Sequence, residues 1–149
     1  MTKTSGGDRA STAGALVLLV DDYADNREAY AVYLRHKGYS VEEAEDGHQA
    51  LEKAFRVTPD LIVMDLSLPV MDGWEATRRL KADERTRRIP VLALTGHALG
   101  GHSQRAKDAG CDAYLTKPCL PEDLVAEIRK MIGAGTARVR AKGGRGRRG

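Results

Sequence analysis

Three segments of this chain are apolar almost without interruption: ALVLLV at residues 15–20, LIVMD at Leu61–Asp65 and PVLAL at residues 90–94. A strand that shows no polar face has to be covered on both faces, which is the condition of a parallel strand in a sheet flanked by helices. Shorter runs at Ser40–Ala44 and at residues 113–115 complete a set of five expected strands. The segments between them carry apolar residues at helical spacing. Ala29, Tyr30, Tyr33 and Leu34 form one stripe, closed by Gly38, and Ala50, Leu51, Ala54 and Phe55 form a second. A third helix is expected after Asp72, with Trp74 partly buried on its surface beside Thr77 and Leu80. The last opens at Pro121, carries Leu124, Val125, Ile128, Met131 and Ile132, and stops at Gly133. Between residues 96 and 110 the pattern weakens. Gly100 and Gly101 fall where a helix should start, each costing roughly 1 kcal/mol relative to alanine, so a short helix is expected near residues 102–109. Strand and helix alternating five times over predict an α/β fold, a doubly wound five-stranded parallel sheet of the flavodoxin-like (βα)5 type with strand order 2-1-3-4-5.

The run at residues 15–20 is far too short to span a bilayer, and the first fourteen residues contain no apolar stretch that would serve as a secretory signal. Cys111 and Cys119 flank an expected strand, so they form neither a disulfide framework nor a metal pair. A cytoplasmic location with reduced thiols is expected. The charge is uneven along the chain. Residues 133–149 hold six basic residues and no acid, while residues 1–132 hold 18 basic and 21 acidic residues, a net of −3 within an overall +3. The expected organisation is a flexible segment at 1–14, a mildly acidic domain at 15–132 and a basic, glycine-rich disordered tail at 133–149. Such a tail is either a solvated end or a contact for nucleic acid or another anionic surface, made by charge alone.

In a doubly wound sheet the ligand site lies beyond the carboxyl ends of the strands. The first strand here ends in Asp21-Asp22, the third in Asp65, the fourth in Thr95 and the fifth in Thr116-Lys117-Pro118. An Asp after a strand ordinarily caps a helix or opens a turn, but four strand ends with chemistry-bearing groups are a different matter. Three close carboxylates repel unless some protonate or a cation joins them. With no Cys or His set nearby, a hard cation with oxygen ligands fits, and Mg²⁺ often binds through one or two carboxylates plus a phosphate. One carboxylate could then attack phosphorus, with Lys117 and Thr95 placed to meet the phosphoryl oxygens.

These residues resemble the receiver domain of two-component response regulators, of the single-domain type similar to the chemotaxis regulator. The resemblance covers about residues 15–132. It rests on Asp21-Asp22, on the loop Asp65-Leu66-Ser67-Leu68-Pro69-Val70-Met71-Asp72-Gly73, on Thr95-Gly96 and on Lys117-Pro118. It implies that Asp65 is the phosphorylation site, that Asp22 and Asp65 bind Mg²⁺ directly with Asp21 acting mainly through water, and that the Ser67 carbonyl is a further ligand. It also implies a switch pair, Thr95 and Tyr114, and a role for Ser67 and His97 beside the phosphate. The protein would then accept a phosphoryl group from a histidine kinase or a histidine phosphotransfer protein. It would catalyse its own Mg²⁺-dependent phosphorylation and dephosphorylation without being an enzyme on external substrates. The first helix would meet the phosphodonor, and the face of the fourth and fifth helices with the fifth strand would meet a downstream protein. An aspartate-nucleophile phosphatase is the competing class. It typically places a second Asp two residues after the nucleophile, where this chain has Ser67. Tyr23 is expected to pack, and His36, His48 and His102 to lie on the surface.

Overall fold

The computed structural model of the chain describes residues 14–66, 71–96 and 109–133. Among these, β1 (Leu16–Val20), β2 (Ser40–Ala44), β3 (Leu61–Asp65), β4 (Val91–Thr95) and β5 (Ala113–Thr116) form one sheet in the order β2-β1-β3-β4-β5. Every pairing is parallel. The helices are α1 (Ala24–His36), α2 (Gly47–Val57), α3 (Gly73–Ala82) and α4 (Pro121–Ile132). The expected helix at residues 102–109 lies outside the described residues apart from Ala109, and so do Ser67, His97, His102, the first thirteen residues and the basic segment beyond Gly133. None of the described helices is long and apolar enough to cross a membrane.

The pleat sorts each apolar run into two cores. Leu18, Val20, Ile62, Met64, Val91 and Ala93 face α2 and α3. Val17, Leu19, Leu61, Val63, Leu92 and Leu94 face α1 and α4. Burial of a large aliphatic side chain is worth about 1.5–3 kcal/mol, so the two cores explain why strands with no polar face are stable only in this layered arrangement. Polar residues fix the helix ends. Asp46 accepts from the Gln49 N–H at 2.8 Å and caps α2, and Asp72 accepts from the Glu75 N–H at 2.9 Å and caps α3. The Tyr39 hydroxyl donates to the Gly133 carbonyl at 2.9 Å, tying the end of α4 to the start of β2.

Three sequence expectations are corrected. On α1 the buried stripe is Tyr30, Ala31 and Leu34, with Ala29 exposed; the sheet lies against the helix about one residue further round than the Ala29–Tyr30 pairing implied. Tyr23 is 59% exposed rather than packed, because its N–H is bound to Asp21 Oδ1 and holds it extended at the start of α1. Trp74 is buried at 6% exposure inside the α2–α3 core. Gly73 makes that possible: a Cβ there would stand 2.3 Å from the Asp65 carbonyl oxygen and 2.7 Å from Leu66 Cα. Only a residue without a side chain lets α3 approach the end of β3 this closely.

Candidate functional site

The register of the sheet sets the heights of the strand ends. Val20 pairs with Met64, so Asp21 and Asp65 stand level on adjacent strands. Asp65 pairs with Leu94, and Thr95 pairs with Thr116, so along the same edge Thr95 stands one residue further out than Asp65 and Lys117 two. The Lys117 N–H donates to the Thr95 carbonyl at 2.7 Å, which extends the β4–β5 pairing into the loop that carries the lysine.

Asp21, Asp22 and Asp65 each offer a carboxylate oxygen within 4.8 Å of the others. Asp21 and Asp65 are buried, and Asp22 is exposed. The Lys117 ammonium reaches Asp65 Oδ2 at 2.8 Å. Asp21 Oδ1 accepts from the Tyr23 N–H at 2.9 Å. Its Oδ2 is buried with no hydrogen-bond partner among the described residues. Burial pushes the Asp21 carboxyl above its ordinary range, reinforced by the negative charges of Asp65 and Asp22, while the Tyr23 N–H and Lys117 pull the other way. Three acids beside one lysine leave an excess of negative charge at a partly desolvated edge, and an unpartnered buried carboxylate oxygen costs about 1–3 kcal/mol or more. Among the described residues the donor set is oxygen only, which fits a hard divalent cation such as Mg²⁺ and does not fit a metal that prefers sulfur or imidazole.

Thr95 is buried at 2% exposure at the end of β4. A Cβ built on the next residue, Gly96, would meet nothing within 4 Å among the described residues. Tyr114 lies on β5 opposite Ala93, with its side chain 39% exposed. The structure therefore brings Asp21, Asp22, Asp65 and Lys117 together, puts Thr95 on the same edge and leaves Tyr114 on the flank. Ser67 is outside the described residues. The Lys117–Pro118 peptide bond is cis.

Sequence reasoning missed several features around this edge. Arg27 on α1 donates from Nη1 to the Asp21 carbonyl at 2.8 Å and from Nε to Glu43 Oε1 at 3.0 Å. The Tyr30 hydroxyl donates to the Cys119 carbonyl at 2.6 Å. No motif marks either residue; their only signal is helical spacing, which puts them one turn apart on the side of α1 nearest the strand ends. The outer side of α1 bounds an open groove of about 600 Å³ lined by Asp25, Glu28, Ala29, Val32, Tyr33, His36 and Pro121.

Residues 17–129 match the family of the response regulator receiver domain. The chain is 36% identical over 117 residues to the polar-differentiation response regulator DivK of Brucella ovis, covering 78% of this chain and 95% of that one. It is similar in structure to the chemotaxis protein CheY4 of Vibrio cholerae, with a TM-score of 0.75, 35% identity and coverage of 79% of this chain and 98% of that one. The receiver domain of a Pseudomonas aeruginosa sensor histidine kinase, solved with a magnesium ion coordinated in its active site cleft, matches at a TM-score of 0.76 and 41% identity, over 82% of this chain and all of that one.

Proposed function

The chain belongs to the family of response regulator receiver domains, and on that premise we propose that it accepts a phosphoryl group on Asp65 from a histidine kinase or a histidine phosphotransfer protein and passes the signal to a partner protein. The observation that carries this reading is the meeting of Asp21, Asp22 and Asp65 within 4.8 Å, with Lys117 on Asp65 at 2.8 Å. Asp22 and Asp65, with the Ser67 carbonyl, would hold Mg²⁺, and Asp21 would act on it mainly through water. A bound Mg²⁺ neutralises the carboxylates and the incoming phosphoryl oxygens, so that an anion can be attacked by an anion.

The remaining chemistry belongs to the side chains. An Asp65 carboxylate oxygen attacks phosphorus, a P–O bond forms, and the P–N bond of the phosphohistidine breaks with the electron pair returning to the imidazole. Lys117 supplies a fixed positive charge to the phosphoryl oxygens, and Thr95 supplies a hydroxyl donor once the phosphoryl group is in place. The groove on α1 combines apolar Ala29, Val32 and Tyr33 with acidic Asp25 and Glu28. A phosphodonor helix presenting an apolar stripe with basic neighbours suits that surface, and it stands beside the edge where the transfer takes place.

The test is phosphoryl uptake from acetyl phosphate. Intact mass should rise by one phosphoryl group in the presence of Mg²⁺ and stay unchanged when the metal is chelated. Asp65→Asn should lose the gain altogether. Uptake by Asp65→Asn at the yield of the unaltered protein would refute the assignment.

A further inference from the structure

The sheet-facing side of α1 grips the acidic edge at two backbone points. Arg27 holds the carbonyl of Asp21 through Nη1, and its Nε is anchored by Glu43 on the neighbouring strand β2. The Arg27 side chain is only 15% exposed. Glu43 is held in turn by Arg35 at 3.5 Å, and its carbonyl accepts from the Lys53 ammonium. One turn along α1, Tyr30 is buried and its hydroxyl holds the Cys119 carbonyl at 2.6 Å, two residues past Lys117.

We propose that Arg27 and Tyr30 are positioning residues for the two walls of the acidic pocket, Arg27 for the Asp21 wall and Tyr30 for the Lys117 wall. The proposal rests on the reading of Asp21, Asp22 and Asp65 as a cation site. The physical case starts from repulsion: three close carboxylates push the loop after β1 away from β3, most strongly when no cation is bound. The opposing restraints on Asp21 are its N–H to Ala44, its Oδ1 to the Tyr23 N–H and its carbonyl to Arg27. The last is the only one of these with a charged donor, and charge-assisted hydrogen bonds are roughly twice as strong as neutral ones. A planar fork pinned at Nε by Glu43 also fixes where Nη1 lies, which a flexible ammonium cannot do. On the other wall, the cation-binding carboxylates gain nothing from Tyr30, but the path of the chain from Lys117 to Cys119 sets where the ammonium stands. The two contacts therefore divide the work. Arg27 governs cation affinity, and Tyr30 governs the rate of phosphoryl uptake.

The experiment uses the full chain, with calorimetric titration of MgCl₂, melting curves in chelator and initial rates with acetyl phosphate. Arg27→Gln should weaken Mg²⁺ binding on the order of tenfold, the lower end seen when a supporting partner of a metal site is lost, with a much smaller proportional change in metal-free melting. Arg27→Lys, which can replace one of the two donors, should fall between. Tyr30→Phe should bind Mg²⁺ within about twofold of the unaltered protein yet take up phosphoryl groups several-fold more slowly at saturating Mg²⁺. If Arg27→Gln does not fold, Glu43→Ala frees the guanidinium from the half-exposed side and should lower Mg²⁺ affinity in the same direction. Unchanged affinity in the Arg27 and Glu43 variants, or an unchanged uptake rate in Tyr30→Phe, overturns the positioning roles. Failure of the unaltered protein to bind Mg²⁺ overturns the cation site itself and this proposal with it.

Discussion

Aspartates stand at both ends of the sheet, and the two ends treat them in opposite ways. At the amino end, Asp60 Oδ2 accepts from the Leu16 N–H at 2.7 Å, and Asp112 Oδ2 accepts from the Val91 N–H at 2.8 Å and from the Lys81 ammonium at 2.9 Å. Each carboxylate there closes off the start of a buried strand that would otherwise leave a donor unpaired. At the carboxyl end, Asp21 and Asp65 are buried beside each other and beside Asp22, and Asp21 Oδ2 has no hydrogen-bond partner among the described residues. The same residue type stabilises one edge and strains the other. What separates a structural acid from a chemical one is therefore the supply of donors around it, not the acid itself. A buried carboxylate oxygen without a donor among the described residues, as Asp21 Oδ2 is, can gain by taking up a cation.

The contrast can be broken or sharpened by substitution. The largest effect on stability should come from the amino end. Asp112→Ala strands the Val91 N–H and frees Lys81, and Asp60→Ala strands the Leu16 N–H, so each should destabilise the fold by about 1–3 kcal/mol in denaturant titration. Neither should change Mg²⁺ affinity; a loss of Mg²⁺ binding in either would erase the distinction between the two ends. A smaller effect on stability, but a decisive one on signalling, is expected at Thr95. Thr95→Ala should keep phosphoryl uptake at Asp65 while uncoupling it from Tyr114. The Tyr114 resonances that move when beryllofluoride is added to the unaltered protein should stay still in the variant, and a full set of shifts would show that the hydroxyl is not the trigger.

The smallest effect concerns a partly buried thiol beside Asp112, at the amino end of β5. Cys111 lies against the α2–α3 core, and burial pushes its thiol up to about 11, with the Thr77 hydroxyl opposing. A thiol raised above its ordinary value of about 9 contributes stability that is fully present below pH 9 and is lost as the pH rises through about 11. At pH 8, Cys111 should react with a thiol reagent far more slowly in the folded chain than in the unfolded one. Equal rates in the two states would contradict its burial.

Much of this was legible in the residues because the physics was local. The run LIVMD at β3 has no polar face, so a parallel strand covered on both sides was the only stable reading, and its end at Asp65 was visible for the same reason. Asp72 followed by a glycine likewise marked the start of α3. The burial of Trp74 was not legible, because it depends on how closely α3 approaches β3 over Gly73, a distance between elements that spacing along the chain does not encode. The contacts of Arg27 and Tyr30 were not legible for a similar reason. Their partners are backbone carbonyls, those of Asp21 and Cys119, and the latter is 89 residues from Tyr30 in the chain. A carbonyl leaves no signature in a sequence.

The most direct test of the carboxyl edge is the melting temperature of the full chain and of Asp22→Ala, each measured in chelator and in saturating Mg²⁺. Binding to the folded state alone stabilises it by RT ln(1 + [L]/Kd), about 2.7 kcal/mol at a hundredfold excess over Kd. The unaltered protein should show that increment. Asp22→Ala should lose most of it, and its metal-free melting temperature should hold steady or rise, because one of three repelling carboxylates is gone. An equal Mg²⁺ increment in both proteins, or a metal-free loss in Asp22→Ala as large as that of Asp112→Ala, would contradict the account.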